Sequence, residues 1–256
     1  MTTDQTVPYA AVITAIADFY QAQRQQRQQA LQQLVLAFAH QDPANRERNR
    51  LESGNLNVFR FFNPGETTHS RLLAFFLDPH AQHGQGMLFL TEFLLLLGIE
   101  EPAGGAHQWR VTAETGRIDV LLKRKHLHTV ILLENKSNYA VDQPNQLYRY
   151  WHQEIYQQQL AQHRPAAEIT QPPPHRYRLV YLAPAAWKQL EAQSLQKPKG
   201  RKWSALLPEV VPMKVEQHLF SDFVVQWLTN AIAKLPATNH RLREFTLQYV
   251  QFWQFS

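Results

Sequence analysis

An α/β fold, with a central mixed β-sheet flanked by helices and helical additions at both ends, is what this 256-residue sequence predicts. Two neighbouring apolar runs, 117–124 and 129–137, read as strands because Val120, Leu121, Leu122 and Val130 to Leu133 are too continuous for an exposed edge. Segments with apolar residues at helical spacing lie on both sides of them, and a further strand pattern, Tyr177 to Leu182, returns after one such helix.

Residues 8–40 read as one or two helices, with the glutamines from Gln21 to Gln33 on the polar side and Leu31, Leu34, Val35 and Phe38 on the apolar one. The turn Asn63-Pro64-Gly65 precedes a helix opened by Glu66, whose Leu72, Leu73, Phe76 and Leu77 recur at helical spacing until Asp78-Pro79 stops it. A turn at His83-Gly84-Gln85-Gly86 then presents a helix from Met87 to Leu97. Strands follow at about 109–114, 117–124 and 129–137, and a helix from Gln146 to about residue 162 carries Leu147, Trp151 and Ile155 on one stripe. A loop containing Pro172-Pro173-Pro174 leads to the Tyr177 strand, and helices at 220–235 and 240–254 close the chain. The organisation expected is a helical arm over 1–54, a core over 55–185, and a basic loop with C-terminal helices packed on the core over 186–256.

Charges inside the apolar strands are the feature that points to chemistry, because a buried charge needs a partner. Side chains alternate along a strand, so Glu134 and Lys136 share a face while Ile131, Leu133 and Asn135 share the other. A hairpin symmetric about the His126/Leu127 bond pairs residues whose numbers sum to 253, which sets Asp119 opposite Glu134. Directly opposed Cβ atoms are about 4.5 to 5.5 Å apart, and two carboxylates there repel unless a cation lies between them. Mg²⁺ or Mn²⁺ suits such an oxygen-rich site. Lys136 beside it would either stabilise charge developing on phosphorus or, if deprotonated, take a proton from attacking water.

With these residues the chain resembles the PD-(D/E)XK nuclease superfamily, whose hallmark is an acid on one strand and an acid-x-Lys on the next. The likeness extends to a bacterial subgroup through four motifs in order: Glu66-Thr67-Thr68-His69-Ser70, Arg117-Ile118-Asp119, Glu134-Asn135-Lys136 and Gln146-Leu147-Tyr148-Arg149-Tyr150. It is strong over roughly 55–185 and departs from the superfamily's name at Ile118, where the proline would stand. The resemblance implies a restriction-endonuclease-like core and a Mg²⁺- or Mn²⁺-dependent endonuclease acting on DNA. It implies that Asp119, Glu134 and Glu66 bind the metal, that Lys136 is catalytic, and that Gln146 orients substrate or water. It also suggests a restriction or anti-phage defence role. The alternatives carried with it are a nucleic-acid-binding module with a degenerate site, or a subunit that cuts only with a partner such as an ATPase, and a homodimer is a further expectation.

Several flanking residues are candidate substrate contacts. Arg117 shares a strand face with Asp119 in this reading and would pair with an acid or grip a phosphate. Glu114 flanks a Thr115-Gly116 turn and ranks below Glu66 as a site acid. Tyr150 lies one turn from Gln146. Lys199, Arg201 and Lys202, with Lys197, concentrate positive charge in a loop ahead of Trp203, a backbone clamp with an aromatic for stacking. Asp78, His80 and His83 form a rival zinc reading, set aside because the chain has no cysteine and the spacing fits no common zinc motif.

Composition limits the remaining classes. A 44% hydrophobic content is enough for a substantial core, and a net charge of +5 with a pI near 9.5 biases the chain toward polyanions. The absence of cysteine excludes disulfides and thiol catalysis. The most apolar run, Phe93 to Leu97, is far below the ~20 residues of a bilayer crossing. With a polar start at Met1 to Gln5 and no secretory signal read, a cytoplasmic location is expected.

Overall fold

The computed structural model describes residues 45–54, 56–99, 104–161 and 173–254, together with scattered positions between 20 and 31. Most of the 8–40 helical expectation, including Leu34, Val35 and Phe38, lies outside the described residues, as does Pro172. The chain divides into two compact units, Met1–Leu56 and Asn57–Ser256. In the first, residues 45–52 are helical and Arg50 pairs with Glu47 at 2.6 Å.

The second unit is built on a five-stranded sheet. Its strands are β1 (Trp109–Thr115), β2 (Ile118–Arg124), β3 (Thr129–Asn135), β4 (Tyr177–Ala183) and β5 (Val215–Leu219), in the spatial order of the sequence. The pairings β1/β2 and β2/β3 are antiparallel, and β3/β4 and β4/β5 are parallel. The sheet is therefore mixed, with β3 at the switch and all seven of its residues buried. A strand covered on both faces explains why its sequence is apolar without alternation until Glu134.

The hairpin register has the expected sum of 253, with Val120 opposite Leu133 and Leu122 opposite Ile131. The β1/β2 turn sits one residue later than expected. Thr115 pairs with Ile118, leaving Gly116 and Arg117 as the two-residue loop, both with positive φ (64° and 69°), as a type I′ turn requires. Arg117 is therefore a turn residue and does not share a strand face with Asp119, which corrects that part of the expectation.

Alternate residues of the strands feed two cores. On one face Val120, Leu122, Ile131, Leu133, Val180 and Leu182 join the buried sides of α1 (Val58–Phe62), α2 (Glu66–Leu77) and α3 (Leu88–Leu96). The C-terminal helices α6 (Val225–Lys234) and α7 (His240–Gln254) complete that layer. On the other face Leu121, Val130, Leu132 and Leu179, joined by Ile118 from the very start of β2, meet α4, in which Gln146–Trp151 continues through a π-helical turn, His152–Tyr156, to Gln157–Ala161. Leu147, Trp151 and Ile155 form its buried stripe, the one read from spacing. Leu207 and Val211 extend this second layer from the segment after the short helix α5 (Ala192–Leu195).

Two features escaped the sequence reading. β5 reads Val-Glu-Gln-His-Leu, too polar to look like a strand, because as the last in the sheet order it buries little: Arg178 of β4 reaches Glu216 at 2.7 Å. The π-helical turn of α4 carries Glu154, which is buried and pairs with Lys123 of β2, so the extra residue in the turn accompanies an ion pair between helix and sheet.

Trp227 marks the centre of the larger core. Fully buried on α6, it lies against Phe93 (5.2 Å between ring centres) and Phe76 (6.2 Å) and donates its indole N–H to the Phe89 carbonyl at 2.7 Å. Trp227→Ala should cost about 3 to 5 kcal/mol, read as a lower urea midpoint with little change in slope; a loss under about 1 kcal/mol would contradict this packing.

Candidate active site

The two acidic strands end at the same rim of the sheet. Asp119 has the parity of Leu121 and Glu134 that of Leu132, so both project toward the face covered by α4. The backbone ladder stops at Val120 and Leu133, one step before the two acids. Beyond it Asp119 Oδ2 accepts the Asn135 N–H at 2.6 Å, which fixes that carboxylate beside β3 without a ladder pair. Lys136 continues alongside β4, donating its N–H to the Leu182 carbonyl at 3.0 Å, and its Nζ stands 2.6 Å from Glu134 Oε1. Glu134 and Lys136 thus share a face as alternation requires.

Asn135, between them, turns the other way and fastens α2. Its Nδ2 donates to the Glu66 carbonyl at 2.8 Å and to Ser70 Oγ at 3.0 Å, while its Oδ1 accepts the Ser137 N–H at 3.0 Å. Ser70 Oγ donates in turn to the Glu66 carbonyl at 3.1 Å. The first turn of α2 is so held against the end of β3, and Glu66 reaches the same cleft as the strand acids. His69 does not: it is buried against α7, with Nδ1 2.9 Å from the Tyr249 hydroxyl and its ring beside Trp253 and Phe252. Burial holds its pKa down to about 4, so it is a neutral anchor between helices.

On the opposite wall Gln146 opens α4. Its Oε1 accepts from Lys136 Nζ at 3.4 Å and from the Gln143 N–H at 3.3 Å, and its Nε2 donates to the Tyr150 hydroxyl at 2.9 Å. Tyr150 donates onward to the Arg117 carbonyl. A continuous chain of hydrogen bonds therefore links the β1/β2 turn to the lysine, and the Tyr150 hydroxyl is engaged at both ends.

Together these groups line a cleft of about 310 Å³, walled by Glu66, Asp119, Glu134, Lys136, Gln146 and Tyr150, with Glu114 and Arg117 also on its lining. Burial raises the Asp119 pKa, and the charge of Glu134 raises it further, against the Asn135 N–H. Burial raises that of Glu134 as well, opposed by Lys136 and reinforced by Asp142 and Glu66. Glu66 is raised chiefly by burial. Burial works against the Lys136 charge, but Glu134, Asp142 and Glu66 outweigh it, and the ammonium lies above its ordinary range. Glu66 Oε1 is buried without a hydrogen bond, and beyond the Lys136 ion pair no hydrogen bond reaches either Glu134 oxygen.

Asp142 was not read from the sequence. It is buried, 3.6 Å from Lys136 Nζ, accepts the Tyr181 hydroxyl at 3.1 Å and the Glu191 N–H at 2.8 Å, and lies 3.9 Å from Lys188. Standing two residues before Pro144 in a polar connection, it looked like any turn-former.

Other candidates lie elsewhere. Lys199, Arg201 and Lys202 are exposed in the segment between α5 and β5, and none lines the cleft. Trp203 packs edge-on against Tyr148 and His152, so its ring is committed to the second core. His83 accepts the Gln85 N–H through Nδ1 and His80 contacts the Ala106 carbonyl, leaving the Asp78-His80-His83 stretch a hydrogen-bonded turn. Among the described residues no three His, Asp or Glu side chains are already gathered into a coordination sphere. The cleft's donor set is nonetheless one that a hard divalent cation accepts, three carboxylates of which Glu66 and Glu134 have buried oxygens short of hydrogen-bond donors.

Comparison with known proteins adds one finding. The family model of the PD-(D/E)XK nuclease superfamily matches residues 56–251, which include every group of the cleft. No curated protein and no solved structure matches the chain. With most of its length matched, and the acids of β2 and β3 in one cleft with the lysine just after β3, the chain belongs to the PD-(D/E)XK nuclease superfamily.

Proposed function

We propose that this protein is a metal-dependent nuclease that hydrolyses phosphodiester bonds of DNA. The observation that carries the reading is the convergence of three carboxylates with raised pKa values and one firmly charged lysine on a single cleft. Asp119, Glu134 and Glu66 would hold Mg²⁺ or Mn²⁺. Bound there, such an ion would polarise a phosphate oxygen and lower the pKa of attacking water.

The chain's own groups account for the rest. Lys136 is kept charged by Glu134 and Asp142 and aimed by Gln146, which suits it to meet negative charge as it builds on phosphorus. Gln146 and Tyr150 set the lysine's position and close one wall. Arg117, on the turn that lines the cleft, would contact a neighbouring phosphate. The basic segment with Lys199, Arg201 and Lys202 would bind backbone outside the cleft. A role in restriction or anti-phage defence, in the cytoplasm and with a partner ATPase or a second copy, is the biological setting we attach to this activity. Among the described residues no helix is long and apolar enough to cross a membrane.

Purified protein should cut or nick DNA with Mg²⁺ or Mn²⁺. Lys136→Ala should lower the rate by about 10²- to 10³-fold, and Asp119→Ala or Glu134→Ala should abolish cleavage. Full activity in any of these three variants, followed by gel electrophoresis of plasmid and linear DNA, would overturn the assignment. DNA bound but never cut, with no calorimetric signal for Mg²⁺, would favour the binding module with a degenerate site. Intact metal binding without cleavage would favour a subunit awaiting its partner.

The carboxyl pKa shifts make stability respond to pH in a defined direction. Asp119, Glu134 and Glu66 are raised above their unfolded values, so the folded chain binds more protons than the unfolded one and stability falls as pH rises. His69 is shifted down from 6.5 and opposes this only at lower pH. Between about pH 6.5 and 8 the metal-free melting temperature should therefore decline, Mg²⁺ should restore it, and Glu134→Gln should flatten the decline. A melting temperature indifferent to both pH and Mg²⁺ would contradict the electrostatic account.

A further inference from the structure

Beside the cleft the loop from Ser137 to Asn145 displays Tyr139, and the loop after β4 displays Trp187. The two rings are parallel, 4.9 Å between centres and 4° between planes. Yet Tyr139 is 48% and Trp187 70% exposed, so the stack hides little of itself from water. Burial alone does not account for two aromatic rings left facing solvent.

The surrounding backbone is built to keep them there. Tyr139 adopts a φ of 60°, a left-handed conformation that costs a bulky residue energy, and its N–H closes a turn on the Lys136 carbonyl at 2.9 Å. Both loops are bolted from beneath through Asp142, which approaches Lys188, next to Trp187, and accepts the Glu191 N–H. Asp142 also contacts Lys136 at 3.6 Å, so one buried carboxylate sets the aromatic pair and the lysine relative to each other. The loop that bears Tyr139 runs straight on into the cleft, whose lining includes Ala140 and Val141, and Val141 is itself 72% exposed.

We infer that Tyr139 and Trp187 form a stacking platform for an unpaired nucleobase next to the scissile phosphate, so that the cleft prefers single-stranded or frayed DNA to intact duplex. This rests on the nuclease reading of the cleft. An aromatic surface accepts any base by its π-face, whereas a base paired within a duplex keeps its faces covered by its neighbours. Rings already stacked on each other need little further ordering on contact, and the phosphate that follows the stacked base would lie toward the cleft that Ala140 and Val141 line.

The test measures binding apart from cutting. Full-length protein in EDTA is titrated, at one fixed salt concentration, against a fluorescein-labelled single-stranded oligothymidine and a blunt duplex of the same length. Trp187→Ala and the Tyr139→Ala/Trp187→Ala pair should weaken single-strand binding by about tenfold or more and duplex binding by less than about twofold. Trp187→Phe should recover most of the loss, and the tryptophan quenching that accompanies wild-type binding should fall in Trp187→Phe. Circular dichroism and thermal melts verify that each variant is folded. Equal losses on both probes, unchanged single-strand binding, or no single-strand binding by the wild type overturns the inference. The nuclease reading is judged separately by whether wild-type protein cleaves DNA or binds Mg²⁺: cleavage with an indifferent Trp187→Ala sinks the platform alone, and stacking with neither cleavage nor Mg²⁺ binding sinks the enzyme alone.

Discussion

Asn135 is the residue on which the geometry of the cleft depends. Its backbone N–H holds the Asp119 carboxylate, and its side chain holds the first turn of α2 through Glu66 and Ser70. It stands between Glu134 and Lys136, so one peptide unit fixes four groups of the site. This is available only where β2 and β3 have stopped exchanging ladder bonds: the pairing ends at Val120 and Leu133, which frees the Asn135 N–H for a side chain. An apolar residue at 135 would satisfy the larger core equally well, but it would leave the first turn of α2 untied from β3. The asparagine thus serves placement, and the core around it supplies the stability that placement costs.

That cost is visible in the electrostatics. Three acids share one cleft, partly or wholly buried, with one lysine beside them, and burial first, then neighbouring acids that include Glu114 and Asp142, raises all three carboxyl pKa values. A fold optimised for stability would separate or replace them. Two of them are held against the ordinary escape, which is rotation into solvent, Asp119 by Asn135 and Glu134 by Lys136, while the helix bearing Glu66 is tied on both sides, by Asn135 to β3 and by His69 to Tyr249 of α7. Strain of this kind, maintained by surrounding structure, is characteristic of sites whose work is to receive a charge.

Much of this was legible from sequence because it follows from strict periodicities. Strand alternation and a symmetric hairpin place Asp119, Glu134 and Lys136 on one face, and helical spacing gives the stripe Leu147, Trp151 and Ile155. What was not legible depends on tertiary placement. Arg117 left its strand because a one-residue shift in a tight turn is invisible when Thr, Gly and Arg are all admissible there. His69 follows Glu66 by three residues, yet only the residue at the helix end overlooks the cleft, and the next turn is already under α7. Asp142 and Lys188 come from loops 46 residues apart, Asp142 to Lys188, and no local pattern announces their meeting. β5 was hidden by its polarity, and the Trp203 ring, which looked available, is consumed by Tyr148 and His152.

The remaining question of physical substance is what the lysine does, and the geometry separates the two roles that sequence left open. A general base must be neutral part of the time near operating pH, and for a lysine that requires desolvation to exceed the attraction of neighbouring acids. Here the balance falls the other way: Lys136 is buried, but Glu134 stands at 2.6 Å and Asp142 at 3.6 Å, and the ammonium is held above its ordinary range. Gln146 contributes an oxygen to it, an acceptor that favours the charged form further. A side chain stabilised as a cation from three directions gives up its proton reluctantly, while its positive charge is already oriented at no further entropic cost. Without a divalent cation in the cleft the arrangement therefore keeps Lys136 a cation, the form that would stabilise negative charge.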